Sequence, residues 1–460
     1  MVRARSEPPG RASGTAAERH GDTIFALASG AGRSAISVIR ISGPKAIEAI
    51  NLLSDGAVSE PRKLTLCNLH TINNQIVLDH CLVATFPGPA SFSGEDMAEL
   101  HLHGGRAVLS AVVDELAAIP GLRPAEPGEF TRRAFENGKL DLTAAEGIAD
   151  LVNADTEHQR RQALRQMEGA LGRIYENWRA RLVKTLAKLE AHIDFPEDDL
   201  PSDLLQEVQG LAAELQQEIG AHLADNRRGE RLREGVSVAI VGAPNSGKSS
   251  LINYLAGRDA AIVSSRAGTT RDVVEVRLDL GGYRVDLADT AGLRDASDEI
   301  EAEGVKRALA RAEAADINIL LFDGANFPEI DQSTLALLDD RALPLISRVD
   351  LATGRPEEKL NNALPVSVKT GCGLPELMAG LQERVETIAG AAETPSLTRA
   401  RHRYALEEAL IALKGSMTAE APELMAEDMR LAVRSIGRIT GRVDVEDILD
   451  VVFRDFCIGK

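Results

Sequence analysis

Residues 242–249 read GAPNSGKS, and this stretch decides the fold of the segment that contains it. One glycine, four residues and then Gly-Lys-Ser is the spacing of a phosphate-binding loop. The apolar run at 236–241 predicts a buried strand before it, and residues 250–255 predict a helix after it. A glycine-rich turn in this position directs backbone N–H groups and the positive end of a helix toward phosphate oxygens. The stretch therefore predicts a nucleoside triphosphate site.

Further residues supply the expected partners of this loop. Lys248 would reach the β- and γ-phosphates, and Ser249 would hold Mg²⁺ through its hydroxyl. Strand-like residues 283–288 lead into Asp-Thr-Ala-Gly at 289–292, where the Asp supports the Mg²⁺ shell and the Gly offers an N–H to the γ-phosphate. Between these motifs lies a polar switch segment, in which Thr270 completes the Mg²⁺ ligands. This order of motifs favours a GTPase.

The base-reading end departs from the usual Asn-Lys-x-Asp motif, because residues 347–350 read Ser-Arg-Val-Asp. Asp350 can still accept two hydrogen bonds from guanine, and its carboxylate would leave adenine unpaired. We expect Ser347 to be too short for the amide bridge toward the phosphate-binding loop, whereas Arg348 can still cover the base with its flat guanidinium. Residues 367–369 supply a second base-contacting loop. Guanine is therefore the predicted base.

The position that activates water in many GTPases is a Gln directly after Asp-x-x-Gly. Here it is Leu293, which can neither donate nor accept a hydrogen bond. Catalytic help must come from elsewhere, and the acidic residues between 295 and 301 are candidates. Their alternative role is that of a solvated loop and a helix cap.

The composition of the chain limits the kinds of partner that it can bind directly. The chain has 460 residues, 44% of them hydrophobic, which suffices for about three packed domains. A net charge of −18 and only 3% aromatic residues oppose direct nucleic-acid binding, so an RNA partner needs a local basic surface or a second protein. No apolar run is long enough for a membrane span. The four cysteines are scattered, which fits a cytoplasmic protein without disulfides or zinc.

The order of helix-like and strand-like segments along the sequence predicts a multidomain chain that combines α+β, all-α and α/β parts. The α/β part is a P-loop GTPase domain with a doubly wound, mostly parallel sheet, inserted into a helical domain. The predicted segments are a disordered extension at 1–21, an α+β domain at 22–138, a first helical part at 139–234, the G domain at 235–392 and a second helical part at 393–460.

Motifs throughout the chain resemble those of one protein family. GAPNSGKSSLIN, AGTTRD, DTAGLRDASDEIEAEG and the terminal FCIGK resemble the MnmE (TrmE) family of tRNA-modification GTPases, and so do RISGP, FPGPASFSGED and PGEFTRRAF near the start. The resemblance covers nearly all of residues 22–460, and only the first 21 residues and Ser347-Arg348 depart clearly from it. It implies K⁺-activated GTP hydrolysis by G domains that dimerise across the nucleotide.

The resemblance also implies site residues in the G domain. Asn245 would ligate K⁺ through its side-chain oxygen, and Glu301 corresponds to the catalytic glutamate that orients water. Metal ligands would be Ser249 and Thr270 for Mg²⁺ and Asn245, Ser264, Arg266 and Thr269 for K⁺. The expected GTP-binding residues are Asn245, Ser246, Gly247, Lys248, Ser249, Ser250, Ser264, Ser265, Arg266, Ala267, Gly268, Thr269, Thr270, Asp289, Thr290, Ala291, Gly292, Asp350, Ser367, Val368 and Lys369.

In the N-terminal domain the resemblance implies a folate site and the interface of a constitutive homodimer. Arg40, Glu99, Lys139 and the terminal Lys460 would contact a tetrahydrofolate derivative, either 5-formyl or 5,10-methylene. A carboxylate can accept from the N–H groups of a pterin edge, and cationic side chains can meet carboxylates. The sequence alone favours the alternative that the same residues are ordinary surface charges.

Three features have competing interpretations. Cys457 is a candidate catalytic thiol, because a nearby lysine would favour its thiolate form. The alternative is that Cys457 is a buried tail residue used for packing. His101 and His103 alternate along a strand without a third ligand, which favours a structural role over a metal site. Arginines at 430, 434, 438 and 442 form either a solvated face paired with acids, which the spacing favours, or a contact for tRNA or a partner.

Two functions follow. The leading one is a GTPase that, with an FAD-containing MnmG (GidA)-like partner, adds a carboxymethylaminomethyl-type group to C5 of the wobble uridine of certain tRNAs, FAD being on the partner only. The alternative is a regulatory GTPase switch in RNA or ribosome assembly. The folate-like domain and the Cys-x-Gly-Lys tail separate them, because a pure switch needs neither.

Overall fold

The computed structural model describes two compact units. The first comprises the described residues up to Ala145 together with Gly441–Lys460, and the second comprises those from Glu146 to Thr440. The described residues are 21–54, 60–73, 75–194, 204–257, 262, 275–289, 309–352, 360, 362–390, 395–443, 446–454 and 456–460.

The first unit is built on a six-stranded sheet with the strand order β3-β4-β5-β2-β1-β6, in which only the β1–β6 pair is parallel. Its strands are β1 (Thr23–Leu27), β2 (Ser34–Ser42), β3 (Thr65–His70), β4 (Val77–Phe86), β5 (Met97–Gly104) and β6 (Leu122–Pro124). Its first helices are α1 (Ala46–Leu53), α2 (Arg106–Ala118) and α3 (Glu129–Glu136).

Alternation along the central strands fixes which side chains face the core. In β2 the side chains of Ile39 and Ile41 are fully buried, and in β5 Leu100 is fully buried. Successive side chains of a strand point to opposite faces, so Arg40 lies on the other face of β2. Its register partner on β5 is Glu99, and the sheet therefore places these two charges side by side.

The second unit contains a helical part with one continuous core. Helix α4 (Leu142–Asn153) begins in the first unit and continues into the second. The other helices of the second unit are α5 (Glu157–Met167), α6 (Ala170–Asp194), α7 (Leu204–Leu223), α8 (Arg228–Glu234), α9 (Lys248–Ala256), α10 (Gln332–Leu335), α11 (Leu374–Ala389), α12 (Ala400–Thr418) and α13 (Pro422–Thr440). The apolar side chains of α6 and α7 face this core, in which Trp178, Leu182 and Leu215 pack with Leu406 and Met429.

The nucleotide-binding part of the second unit is a six-stranded sheet with the order β12-β11-β10-β7-β9-β8. All neighbours are parallel except β8 and β9. This confirms the predicted fold class, since a mostly parallel sheet places the carboxyl ends of its central strands at one edge. The strands are β7 (Val236–Gly242), β8 (Glu275–Leu280), β9 (Tyr283–Asp289), β10 (Ile317–Asp323), β11 (Ala342–Ser347) and β12 (Leu364–Pro365).

Residues 441–460, at the end of the chain, group with the first unit. Helix α14 (Glu446–Arg454) is followed by a short tail, and both Phe453 and Phe456 are buried. Gly128, with φ of +69°, permits this packing, because a Cβ there would lie 2.9 Å from the carbonyl oxygen of Phe453. Sequence periodicity shows that this segment is amphipathic but not which unit it covers.

Candidate functional site

The phosphate-binding loop joins β7 to α9 through a tightly packed turn. A Cβ at Gly242 would lie 2.6 Å from the carbonyl oxygen of Leu321, so only glycine fits between β7 and β10 at this point. Asn245 and Gly247 have φ of +63° and +96°, in the left-handed region that Gly adopts freely and Asn tolerates. Gly247 then caps α9, which begins at Lys248. The predicted strand, loop and helix are confirmed.

Lys248 is held inside this turn. Its Nζ donates to the carbonyl oxygens of Gly242 and Ala243, at 2.7 and 2.8 Å. Lys248 is the first residue of α9, and its ammonium group therefore ties the start of this helix to the beginning of the loop. The hydroxyls of Ser249 and Ser250 belong to the first turn of the same helix. Backbone N–H groups, a helix N-terminus and a fixed cation in one turn form a cradle that suits a polyphosphate.

The expectation that Ser347 cannot reach the phosphate-binding loop is wrong. Its Oγ donates to the carbonyl oxygen of Ser246 at 2.6 Å, and the residue is only 5% exposed. The reason is the close approach of the strand ends. Gly324, just beyond β10, would place a Cβ 2.8 Å from the Ser347 carbonyl oxygen, so a glycine there lets β11 end directly beside the loop. The short side chain of Ser347 can therefore reach the carbonyl oxygen of Ser246.

Replacing Ser347 with alanine is expected to weaken GDP binding about fivefold, because one buried hydrogen bond contributes roughly 1 kcal/mol to the geometry of the loop. The measurement is a GDP titration followed by calorimetry. Ser333→Ala is the matched control, since that hydroxyl donates to Asp331 at the exposed start of α10. An unchanged GDP affinity for Ser347→Ala would show that the hydroxyl does not support the loop.

The residues predicted to contact the base meet beyond the carboxyl ends of β11 and β12. Oδ1 of Asp350 accepts a hydrogen bond from Oγ of Ser367 at 2.7 Å, so the two predicted base-contacting loops are brought together. Arg348 has φ of +51°, and its Nε donates to Oδ1 of Asp323 at 2.8 Å. Its guanidinium is thus held on the end of β10. Val368 and Lys369 follow in the same loop.

Several predicted G-domain residues lie outside the part of the chain that the structure describes. Asp289 is the last residue of β9, as predicted, but its side chain is outside the described part of the structure. The residues that lie outside the described ranges are Ser264, Ser265, Arg266, Ala267, Gly268, Thr269, Thr270, Thr290, Ala291, Gly292 and Glu301.

In the first unit the structure brings Arg40 and Glu99 into direct contact. Nε and Nη2 of Arg40 donate to Oε1 of Glu99 at 3.1 and 2.9 Å, and each side chain is 20% exposed. The guanidinium carbon of Arg40 lies 5.5 Å from the ring centroid of Phe92 and 5.8 Å from that of Phe130. An ion pair beside two aromatic rings offers both a polar edge and an apolar wall.

Lys139 and the chain terminus belong to the same unit. Nζ of Lys139 donates to the carbonyl oxygen of Pro89 at 2.9 Å, three residues before Phe92. Gly459, with φ of +94°, packs so closely on β1 that a Cβ would lie 2.2 Å from the Leu27 carbonyl oxygen, which places Lys460 beside that strand. Cys457 is exposed, and this contradicts the packing interpretation of its side chain.

The sequence analysis missed a buried ion network behind this surface. The guanidinium of Arg133 is 5% exposed and contacts Glu95 and Glu129, each at 3.0 Å. Burial opposes the charged form of Glu129, but hydrogen bonds from Arg123 and the Glu126 amide hold the pKa of this carboxyl below its ordinary value. The network fixes α3, and with it Phe130, against the sheet. The quoted motifs FSGED and PGEFTRRAF contain three of these charges, which is the signal that could have revealed it.

The remaining candidates contact nearby charged residues. Nδ1 of His103 lies 2.7 Å from Oδ1 of Asp79, and Nε2 of His101 lies 3.5 Å from Oε2 of Glu99. The described residues hold no cluster of side chains suited to a metal ion. Of the arginine row, Arg430 pairs with Glu190 and Glu427, and Arg438 with Glu408, which confirms the preferred interpretation for these two. Among the described helices none has the length and apolar character required to cross a membrane.

Comparison with known proteins places this geometry in a family. Residues 23–139 match the family described as GTP-binding protein TrmE N-terminus, and residues 142–457 match the MnmE helical domain. The tRNA modification GTPase MnmE of Parvibaculum lavamentivorans is 55% identical over 443 residues, which cover 95% of this chain and 100% of that protein.

A eukaryotic relative has a related name. The mitochondrial 5-taurinomethyluridine-[tRNA] synthase subunit GTPB3 of Danio rerio is 46% identical, over 95% of this chain and 93% of that protein. Among solved structures, the G domain of the T. maritima FeoB iron transporter is 25% identical, covers 34% of this chain and 98% of its own, and has a TM-score of 0.24. The motifs, the phosphate-binding loop and the near full-length identity agree: the chain belongs to the MnmE (TrmE) family of tRNA modification GTPases.

Proposed function

We propose that this chain is a K⁺-activated GTP hydrolase that acts in tRNA modification in the cytoplasm. With an FAD-dependent MnmG-like partner it takes part in adding a carboxymethylaminomethyl-type group to C5 of the wobble uridine of certain tRNAs. The observation that carries the proposal is the preformed phosphate-binding loop, with Lys248 fixed inside it, in a chain 55% identical over 95% of its length to a tRNA modification GTPase.

In this proposal the loop positions GTP and its ions. Lys248 binds the β- and γ-phosphates, and Ser249 with Thr270 holds Mg²⁺. Asn245 fits the role of a K⁺ ligand, because it is exposed in the loop and its side chain makes no hydrogen bond to a described residue. Bound cations offset charge on the phosphoryl group. The further proposed K⁺ ligands are Ser264, Arg266 and Thr269, and Glu301 orients the attacking water in place of Leu293.

The first unit is the proposed site of a tetrahydrofolate derivative and of homodimer formation. Arg40 and Glu99 supply a half-buried charged edge, and Phe92 and Phe130 supply an apolar wall beside it. A flat ring with N–H groups along one edge fits such a surface, since the carboxylate accepts and the rings stack. Lys139 and Lys460 are the proposed partners of the folate carboxylates, and the exposed Cys457 is the proposed reactive thiol.

The function is tested by nucleoside analysis of bulk tRNA. Cells that lack this protein are expected to lose the C5-substituted wobble uridine, and expression of the full chain is expected to restore it. Expression of Lys248→Ala is expected not to restore it, because the modification then lacks GTP hydrolysis. A normal modification profile in cells without the protein would favour the regulatory switch instead.

Hydrolysis is expected to be at least about tenfold faster in K⁺ than in Na⁺ at matched ionic strength and saturating Mg²⁺ and GTP. The smaller Na⁺ would fit a site lined by the Asn245 amide and loop carbonyls poorly. The measurement is phosphate release in the two salts, and Asn245→Ala is expected to remove most of the K⁺ advantage. Equal rates in both salts would contradict the K⁺ mechanism.

A further inference from the structure

A cavity of about 110 Å³ lies in the second unit, away from the phosphate-binding loop. It is enclosed by α5, the start of α8 and residues 395–398. None of its lining residues has a role in the proposed function. Its lining combines apolar side chains with Arg161, Arg165, Arg228 and Thr398.

The charge of this cavity is opposite to that of the chain. The described lining residues include three arginines and no carboxylate, in a chain whose net charge is −18. Arg161 and Arg165 are four residues apart on α5 and therefore share one face of the helix. Arg228 faces the cavity from α8. A local cationic site in an acidic protein concentrates anions against the overall field.

Two of the arginines that line the cavity form no ion pair with a described carboxylate. Nε of Arg161 donates to Oε1 of Glu157 at 2.7 Å, but within the described ranges the side chains of Arg165 and Arg228 make no hydrogen bond or ion pair. Most other arginines of this unit are paired, as Arg403 is with Asp225 at 2.7 Å. Guanidinium groups left without a carboxylate at a cavity are available to an external anion.

The floor of the cavity carries an unused donor. Thr398 is 1% exposed, and its Oγ1 has no hydrogen-bond partner among the described residues. Buried hydroxyls are normally hydrogen-bonded, so an orphan that lines a cavity points to a ligand. The wall beside it is closely packed, because a Cβ at Gly229 would lie 2.2 Å from the Leu397 carbonyl oxygen. Nε2 of Gln162 donates to the Gly229 carbonyl oxygen at 3.1 Å and ties α5 to this wall.

We propose that this cavity binds a small oxyanion, namely inorganic phosphate or the phosphate group of a small monoester. Arg165 and Arg228 supply forked N–H donors that match phosphate oxygens, and the Thr398 hydroxyl supplies a further donor from below. The volume sets the size of the ligand. A cavity of about 150 Å³ admits one benzene, so 110 Å³ is large enough for a single phosphate group.

The test uses the full chain saturated with Mg²⁺ and a non-hydrolysable GTP analogue, which keeps the phosphate-binding loop filled. Binding of radiolabelled inorganic phosphate is measured by equilibrium dialysis at constant ionic strength, and one saturable site per chain is expected. Arg165→Gln and Thr398→Val are each expected to raise Kd for phosphate, the former at least about tenfold. Arg160→Gln is the matched control, because Arg160 lies on the same helix outside the cavity and pairs with Glu157.

Competition with glycerol phosphate distinguishes the two sources: displacement of labelled phosphate assigns the site to monoesters as well, and no displacement assigns it to the free ion. Melting temperatures of the variants establish that they are folded. Absence of saturable binding up to about 10 mM phosphate would overturn the proposal. Equal weakening by Arg160→Gln and Arg165→Gln would also overturn it, because the effect would then come from net charge alone.

Discussion

Replacing Lys248 with alanine is expected to lower the rate of GTP hydrolysis by about 10²- to 10³-fold. The ammonium group is already fixed in the loop by the carbonyl oxygens of Gly242 and Ala243, so it meets the developing phosphoryl charge without reorganisation. Its removal leaves the backbone cradle but no cation at the β- and γ-phosphates. Single-turnover hydrolysis at saturating GTP measures the effect on the chemical step.

Lys414→Ala is the control for this variant. Lys414 is an exposed residue of α12 in the helical part, and its loss changes the net charge by the same amount. The control is expected to hydrolyse GTP at the rate of the unaltered protein. A Lys248→Ala protein that is folded and retains more than about one third of the rate would show that the cation acts elsewhere.

The parts of the fold that local patterns specify were predictable. The apolar run 236–241 and the glycine spacing of the loop each depend on neighbours in the sequence, and the structure has both the strand and the loop-to-helix turn. Arg40 and Glu99 were named only through the family resemblance, and it is the structure that pairs them on neighbouring strands.

The errors concern contacts between residues far apart in the chain. Ser347 was expected to miss the phosphate-binding loop, yet it bonds Ser246, which is 101 positions away. That bond depends on how closely β10 and β11 approach, and no local pattern encodes this distance. Arg133 reaches Glu95 across 38 positions for the same kind of reason. Phe456, which is buried near the end of the chain, is a further residue whose packing partners no local periodicity identifies.

A buried charge cluster at the start of α12 is a second place where one substitution has a large consequence. Oε1 of Glu146 accepts from Nε of Arg401 at 2.6 Å, and Oε2 contacts Nε2 of His402 at 2.9 Å. Glu146 is 2% exposed at its side chain, and Arg399 lies 3.2 Å from it. Burial disfavours its charged form, yet Arg401, His402 and Arg399 hold the pKa of this carboxyl well below its ordinary value.

His402 takes part in this cluster as a neutral group at pH 7. Burial and the charge of Arg401 lower its pKa to about 4, although Glu146 acts in the opposite direction. Its contact with Glu146 is therefore a hydrogen bond from a neutral ring at neutral pH. Arg399 and Arg401 are then the cations whose charge Glu146 balances, with help for Arg399 from Asp150 at 2.7 Å.

Glu146→Ala is expected to lower the free energy of unfolding by about 3–5 kcal/mol, because it leaves partly buried guanidinium groups without their carboxylate. Trp178 is the single tryptophan of the chain and lies in the helical core, so its fluorescence during urea denaturation reports on this unit. Glu146→Gln, which keeps a hydrogen-bond acceptor but not the charge, is expected to lose less. The control is Glu157→Ala, since Glu157 pairs with exposed arginines on α5 and its removal is expected to leave the urea midpoint nearly unchanged. Equal shifts for Glu146→Ala and Glu157→Ala would mean that burial of the cluster adds nothing to its effect on stability.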